Sequence, residues 1–207
     1  MDLSRPYSAV CPTLDSDVLA VLAGTLRPLT GREVARLARD RSPMGVRDVL
    51  NRLTEQGLVD RQEAGRALLY ALNREHLAAP AVITLAGMRI ELLRRIRDTI
   101  DGWDLAPIHA SLFGSAARGD GDTTSDIDVF LIRPRNVDDG DSVWRDQLDA
   151  LGVSIERWTG NHAAIADVSE AELPRLRAED APIVRNLRDD AVPVHGPTIS
   201  DLLGASV

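Results

Sequence analysis

The fold is decided by residues 111–132, "SLFGSAARGDGDTTSDIDVFLI". An apolar run ends at Gly114-Ser115, a polar loop follows, and a second apolar run carries Asp126 and Asp128 near its start. Side chains at positions i and i+2 of a strand point to the same face, so the two carboxylates are predicted to lie side by side. Close carboxylates repel each other unless a cation joins them, and oxygen ligands suit Mg²⁺.

The segment before the aspartates is predicted to bind an anion. Residues 108–113 have the pattern of a strand, and Gly114-Ser115 that of a sharp turn that opens a helix. Free backbone N–H groups at a helix start attract phosphate, and Gly114 lets the backbone come close to it. Ser115 adds a hydroxyl donor, and Arg118 adds a guanidinium group one turn later. A phosphate site beside a metal site indicates a nucleoside triphosphate (NTP) site.

This stretch resembles the signature of the nucleotidyltransferase superfamily, in which Gly-Ser is followed by Asp-x-Asp. Its GSxARG form is similar to that of the minimal (MNT-type) nucleotidyltransferases, small relatives of DNA polymerase β and kanamycin nucleotidyltransferase. The resemblance covers roughly residues 105–195. It implies that Gly114 and Ser115 hold the triphosphate and that Asp126 and Asp128 are catalytic and bind Mg²⁺.

The reaction implied by the resemblance is Mg²⁺-dependent transfer of a nucleotidyl group from an NTP, with one or two metal ions. The acceptor stays open: a protein hydroxyl, a nucleic-acid end or a small molecule. Minimal nucleotidyltransferases include antitoxin-like proteins that adenylylate a cognate toxin, so a protein acceptor is one of the alternatives.

The mechanism of the family normally uses a third carboxylate on a neighbouring strand. The corresponding run here is "GNHAAIADVS", residues 160–169. Ala163 and Ala164 occupy the positions where the resemblance implies the third carboxylate. Asp167 is the only acid in the run. With a later strand register, Asp167 completes the catalytic triad; otherwise it is a strand-end residue, and a second metal ion lacks a ligand.

The first 77 residues predict three helices followed by two short strands. Asp15 caps the first helix, Thr30 and Glu33 form a capping box for the second, and Ser42-Pro43 starts the third. The strands are predicted at 58–61 and 67–72. This order resembles a winged helix-turn-helix domain.

In such domains the third helix enters the major groove of DNA and the hairpin, or wing, touches the backbone or minor groove. By this resemblance Arg47 and Arg52 face duplex DNA from the helix, and Arg61 and Arg66 from the wing. The alternative is that these arginines only solvate an exposed face. Winged-helix domains also serve as docking or dimerisation modules, so a protein partner or a homodimer is a further alternative.

The predicted fold class is α/β (α+β), in three parts. Residues 1–77 form the winged helix-turn-helix domain, 78–104 a long connecting helix, and 105–207 a nucleotidyltransferase fold with a small mixed sheet flanked by helices.

Composition narrows the possible chemistry and location. The chain of 207 residues has a net charge of −8, and all 24 of its basic residues are arginine, which excludes a lysine-dependent P-loop or Schiff base. The formal net charge is +1 for residues 1–77 and −9 for residues 78–207, so contact with DNA is more plausible in the first part. No apolar run reaches the ~20 residues of a membrane span, and residues 1–10 lack the charged-then-apolar pattern of a signal peptide, so a cytoplasmic location without membrane partners is expected.

Three hypotheses follow. The first is an Mg²⁺-dependent nucleotidyltransferase with a DNA-binding winged helix. The second is a DNA-binding transcriptional regulator whose nucleotidyltransferase-like domain binds nucleotide without catalysis. The third is an interaction module with neither activity. A complete catalytic triad with Asp167 favours the first, whereas a well-formed arginine face with an incomplete set of acids favours the second.

Overall fold

The computed structural model describes residues 1–39, 41–178 and 182–203. The chain divides into two compact units: one is Arg5–Arg89, and the other combines Met1–Ser4 with the chain from Ile90 onward. The division lies inside the segment 78–104 that was predicted as a connector. The predicted domain boundaries after residues 77 and 104 stay predictions.

The Arg5–Arg89 unit consists of short helices and a small antiparallel sheet. After a 3₁₀ turn at Pro6–Ala9, its elements are α1 (Leu14–Ala23), β1 (Leu29–Thr30), α2 (Gly31–Leu37), α3 (Pro43–Glu55), β2 (Val59–Ala64), β3 (Ala67–Leu72) and α4 (Ala79–Ala86). The strand order is β1-β3-β2, and both pairings are antiparallel. The three helices and the two strands predicted for this part of the chain are present in the predicted order.

Local sequence signals account for these elements. The Thr30 hydroxyl accepts a hydrogen bond from the backbone N–H of Glu33, whose carboxylate accepts in turn from the backbone N–H of Thr30, as the predicted capping box requires. Pro43 is the first residue of α3. Gly65, with φ of +61°, makes the tight turn between β2 and β3. Leu22 and Leu50 are fully buried at the centre of this unit.

Two helices occupy the segment in which a single long connecting helix was predicted. α4 ends at Ala86, and α5 runs from Met88 to Asp101. The backbone N–H of Gly87 donates to the carbonyl groups of Ile83 and Thr84, which closes the last turn of α4. Glycine is a poor helix former, and it interrupts a pattern that otherwise favours one continuous helix.

The second unit is built on a four-stranded mixed sheet. Besides α5, its elements are β4 (His109–Phe113), α6 (Gly114–Arg118), β5 (Ile127–Arg133), α7 (Ser142–Thr159), β6 (Ala163–Ser169), a 3₁₀ turn (Glu170–Glu172), α8 (Leu173–Ala178), α9 (Pro182–Asp190), β7 (Val192–His195) and α10 (Ile199–Leu203). The strand order is β6-β5-β4-β7. β5 and β6 are parallel, and the other pairs are antiparallel. The mixed α/β class predicted from the sequence is confirmed.

Each face of this sheet is covered by apolar side chains of helices. Leu131 of β5 packs on one face with Ile96 of α5 and Leu151 of α7. Phe130, the neighbouring residue of β5, packs on the opposite face with Val184 of α9. Because β4 and β5 are antiparallel, the end of β4 and the start of β5 meet at one edge of the sheet, where Phe113 pairs with Asp128. Within the described ranges, no helix combines the length and apolar character needed to cross a membrane.

Candidate nucleotide site

The turn between β4 and α6 touches Asp128. Gly114 follows Phe113 directly and has φ of +69°, in the left-handed region that favours glycine. A Cβ atom built on Gly114 would collide with Oδ2 of Asp128 and would lie 3.2 Å from its Cγ. The absence of a side chain at this position therefore allows the turn to lie against the carboxylate.

Asp126 and Asp128 lie at the start of β5. Asp128 is the second residue of the strand and is half-buried, while Asp126 immediately precedes the strand and is exposed. Burial raises the pKa of the Asp128 carboxyl, and the charge of Asp126 raises it further. The two carboxylates are therefore close enough for their charges to repel each other, and a bound cation would relieve this repulsion.

Arg118 and Gly114, both predicted to contact nucleotide, are joined by Asp190, a residue that the sequence analysis missed. The backbone N–H of Gly114 donates to Oδ1 of Asp190 over 3.3 Å, and Nη1 of Arg118 donates to Oδ2 of the same carboxylate. Arg118 also pairs with Asp120 at 3.0 Å. The charge of Asp190 contributes to the raised pKa of Asp128. Asp190 is the last residue of α9, 76 positions beyond Gly114, so no local pattern could have pointed to it.

Ser115 and Asn161 hold the polar loop between α6 and β5. The carbonyl oxygen of Ser115 accepts hydrogen bonds from three successive backbone N–H groups, those of residues 119, 120 and 121. The side-chain amide of Asn161 donates to the carbonyl oxygens of Asp122 and Ser125 at 3.1 and 2.8 Å. Asn161 was not predicted as a site residue, although it follows directly on Gly160, which ends α7 in the left-handed conformation.

A shallow cleft opens beside this loop. It has an empty volume of ≈150 Å³, and Ser115, Asp126 and Asn161 are among the residues that line it. The cleft thus places Ser115 and Asp126 on one concave surface.

Asp167 does not join Asp126 and Asp128, so the prediction that it completes the catalytic triad is wrong. In the parallel pairing of β5 with β6, Leu131 lies opposite Asp167, whereas Asp128 lies opposite Ala164. Leu131 is three positions beyond Asp128, an odd offset, so Asp167 points to the other face of the sheet from Asp128.

On that other face Asp167 has a structural environment. Its Oδ2 atom accepts hydrogen bonds from Nη1 of Arg133 and, at 3.0 Å, from Nε1 of Trp144. Both donors belong to residues that are buried. The residue of β6 that pairs with Asp128 is Ala164, which has no carboxylate. Across the part of the chain that the structure describes, no three or more His, Cys, Asp or Glu side chains are grouped so that they could hold a metal ion.

The four arginines predicted to contact DNA lie in the Arg5–Arg89 unit, and all four are exposed. Arg47 and Arg52 are on α3, where Arg52 forms an ion pair with Asp15 of α1. Arg61 is on β2, and Arg66 is in the turn that follows. The hairpin also exposes acidic residues, Asp60 and Glu63. The four arginines thus lie on a helix and a hairpin of one unit, and the hairpin carries exposed acidic as well as basic side chains.

Comparison with solved structures gives a weak likeness. Human N-acetylserotonin methyltransferase in complex with SAM is similar over 48% of this chain and 30% of that chain, with 18% sequence identity and a TM-score of 0.29. The aligned part is thus under a third of the methyltransferase, and a likeness of this size carries no argument about fold or function. No curated protein matches the sequence.

A family model does match, and it covers the candidate site. Residues 91–190 match the nucleotidyltransferase domain. The matched segment runs from α5 to the end of α9 and contains the Gly-Ser turn, both aspartates of β5 and Asp190. This match supports the nucleotidyltransferase superfamily for the second unit, and nucleotidyl transfer as its general function.

Proposed function

We propose that the chain is an Mg²⁺-dependent nucleotidyltransferase that transfers a nucleotidyl group from an NTP to an acceptor. The observation that carries the proposal is the close approach of Gly114 to Asp128, inside the segment that matches the family. The approach places a backbone N–H group and a guanidinium group beside a pair of carboxylates. Such a set can bind a triphosphate together with its metal ion.

The residues present fit one Mg²⁺ ion. Asp126 and Asp128 supply the carboxylate oxygens, and their mutual repulsion favours a bound cation. Mg²⁺ commonly uses one or two protein carboxylates and completes its shell with phosphate oxygens and water. When bound, the ion would neutralise negative charge on the triphosphate and on the leaving pyrophosphate.

The other side chains orient the substrate. The backbone N–H of Gly114 and the guanidinium of Arg118 donate to Asp190 in this structure, and in the proposed complex they donate to phosphate oxygens instead. The hydroxyl group of Ser115 belongs to the cleft, from which it can donate to a phosphate. Asn161 fixes the loop between the turn and the aspartates. A rigid loop keeps these groups in place without a rearrangement during the reaction.

The test measures transfer directly. The purified protein is incubated with Mg²⁺, a bacterial lysate as the source of acceptors, and ATP, GTP, CTP or UTP labelled on the α-phosphate. We expect label on an acceptor together with released pyrophosphate. Asp126→Asn and Asp128→Asn are expected to abolish transfer, while Asp149→Asn, which changes an exposed aspartate on α7, is the control. Transfer that persists in both site variants would contradict the proposal.

The position of Ala164 favours a second candidate function, that of a transcriptional regulator which binds nucleotide without turning it over. Opposite Asp128 the strand β6 offers a methyl group and no carboxylate, so a second metal ion lacks a protein ligand there. If this candidate is right, the wild type binds NTP but releases no pyrophosphate. Ala164→Asp then supplies the missing carboxylate in the correct register, and we expect it to create measurable turnover.

Both candidates include DNA binding by a winged helix in the Arg5–Arg89 unit. The order of three helices and an antiparallel hairpin supports this assignment, and so does the exposure of Arg47 on α3. We expect binding to duplex DNA that weakens as salt rises, because arginine contacts to phosphate release counterions. Arg47→Ala is expected to weaken binding, whereas Arg157→Ala, which removes an exposed arginine from α7 of the other unit, is not. Equal binding by both variants would remove α3 from the proposed interface.

A further inference from the structure

We propose that Asp190 is a built-in competitor of the nucleotide: its carboxylate occupies the hydrogen-bond donors that the triphosphate needs and must be displaced before a nucleotide binds. The inference rests on the proposed function, because it assigns a regulatory contact to the same site. It concerns a residue of α9 that neither the motif nor the paired aspartates of β5 include.

The geometry of Asp190 is that of a bound anion. One of its carboxylate oxygens accepts a hydrogen bond from the backbone N–H of Gly114 over 3.3 Å, and the other accepts from the guanidinium of Arg118. These are two of the groups predicted to hold phosphate. Only 8% of the Asp190 side chain is exposed, whereas 48% of the Arg118 side chain is, so the contact is buried on the Asp190 side and open to solvent on the Arg118 side.

The negative charges near Asp190 also oppose the binding of a nucleotide. The carboxylate lies close enough to Asp128 for their charges to interact, and Asp126 adds a third negative charge. A triphosphate that approached with Asp190 in place would meet three carboxylates, while Gly114 and Arg118 were already engaged.

The release step is a rotation of one side chain. Asp190 ends α9, and only Ala191 separates it from β7, which pairs with β4. The backbone at this end of α9 is therefore tied to the sheet. Rotation of the Asp190 carboxylate away from Gly114 frees the backbone N–H of Gly114 and Nη1 of Arg118 without moving the helix, while Nε of Arg118 stays paired with Asp120.

The experiment compares anion binding by isothermal titration calorimetry. The probes are inorganic pyrophosphate and each of ATP, GTP, CTP and UTP, all with Mg²⁺. Asp190→Asn keeps the shape of the side chain and removes its charge, and Asp189→Asn makes the same change at the adjacent, exposed position of α9. We expect Asp190→Asn to bind pyrophosphate and at least one NTP on the order of tenfold more tightly than the wild type, because the hydrogen bonds it weakens involve charged groups. Asp189→Asn is expected to match the wild type.

The outcomes separate this inference from the proposed function. Equal binding by the wild type and Asp190→Asn overturns the competitor role and leaves the nucleotide site standing. Tighter binding of pyrophosphate with no binding of any NTP supports displacement of Asp190 but contradicts the nucleotidyltransferase proposal. Absence of binding in every variant overturns both. If Asp190→Asn does not fold, Asp190→Ser is titrated in the same way, with the same outcomes.

Discussion

Replacement of Gly114 by alanine tests whether the turn lies against Asp128. Two separate costs are expected, since Gly114 has φ of +69° and since the new Cβ would collide with the carboxylate of Asp128. Gly160 offers a matched control in the same unit: its φ is +72°, and a Cβ atom there would meet nothing within 4 Å. Gly160→Ala therefore carries the backbone cost alone.

The magnitudes follow from these two geometries. A left-handed conformation costs a residue with a side chain about 1–2 kcal/mol, which is the expected loss for Gly160→Ala. Asp128 can move aside only by leaving its rotamer, which costs about 0.5–1.5 kcal/mol more. Gly114→Ala should thus destabilise the unit by about 1.5–3.5 kcal/mol. In an Asp128→Ala background the excess of Gly114→Ala over Gly160→Ala should disappear, because the obstructing carboxylate is gone.

Urea denaturation followed by tryptophan fluorescence measures these differences. All three tryptophans, Trp103, Trp144 and Trp158, lie in the second unit, so the signal reports on the unit that contains both glycines. Unfolding midpoints are compared at equal denaturant slope. If Gly114→Ala and Gly160→Ala cost the same, or if the excess persists in the Asp128→Ala background, the close approach of Gly114 to Asp128 is refuted.

Two further predictions concern buried polar groups of the same unit. Asp167→Asn should destabilise the unit by about 3 kcal/mol, because the buried guanidinium of Arg133 loses its counter-charge. Binding of Mg²⁺ and nucleotide should be unchanged. Weaker nucleotide binding at unchanged stability would instead show that Asp167 belongs to the nucleotide site. Burial lowers the pKa of His109 below its ordinary value of 6.5, so the unfolded chain binds a proton more readily than the folded protein. The stability that neutral His109 contributes is complete above pH 6.5 and is lost as the pH falls through the lowered pKa. The wild type should therefore lose more free energy of unfolding between pH 7.5 and 5.5 than His109→Asn does. Equal losses in urea denaturation at the two pH values would contradict this.

Much of the candidate site could be predicted because its signals are local. The Gly-Ser turn, the loop and the two aspartates lie within residues 111–132, and each is placed by the backbone rules of a strand, a turn or a helix start. The capping box predicted at Thr30 and Glu33 depends on an equally local signal and is present. Helix boundaries were harder, since Gly87 interrupts a pattern that otherwise predicts one helix across α4 and α5.

The prediction that Asp167 is the third carboxylate of the site was wrong because the sequence alone does not give the register of β6 against β5. "GNHAAIADVS" predicts a strand, but its pairing with β5 depends on which residues face the apolar surfaces of α7 and α9. A shift of one residue moves every side chain to the other face of a sheet. In the observed register Ala164 lies opposite Asp128. Asp167 instead accepts hydrogen bonds from Arg133 and Trp144.

Hydrophobic periodicity and turn chemistry act over a few residues, so the sequence alone predicts the three helices and the hairpin of the first unit, the mixed α/β class and the spacing of Asp126 and Asp128. Which carboxylates meet depends on the tertiary structure. It excluded Asp167, three residues beyond Ala164, and it brought Asp190 to Gly114 across 76 positions. Strand register and helix docking are set by the burial of whole apolar faces, and no short motif records them.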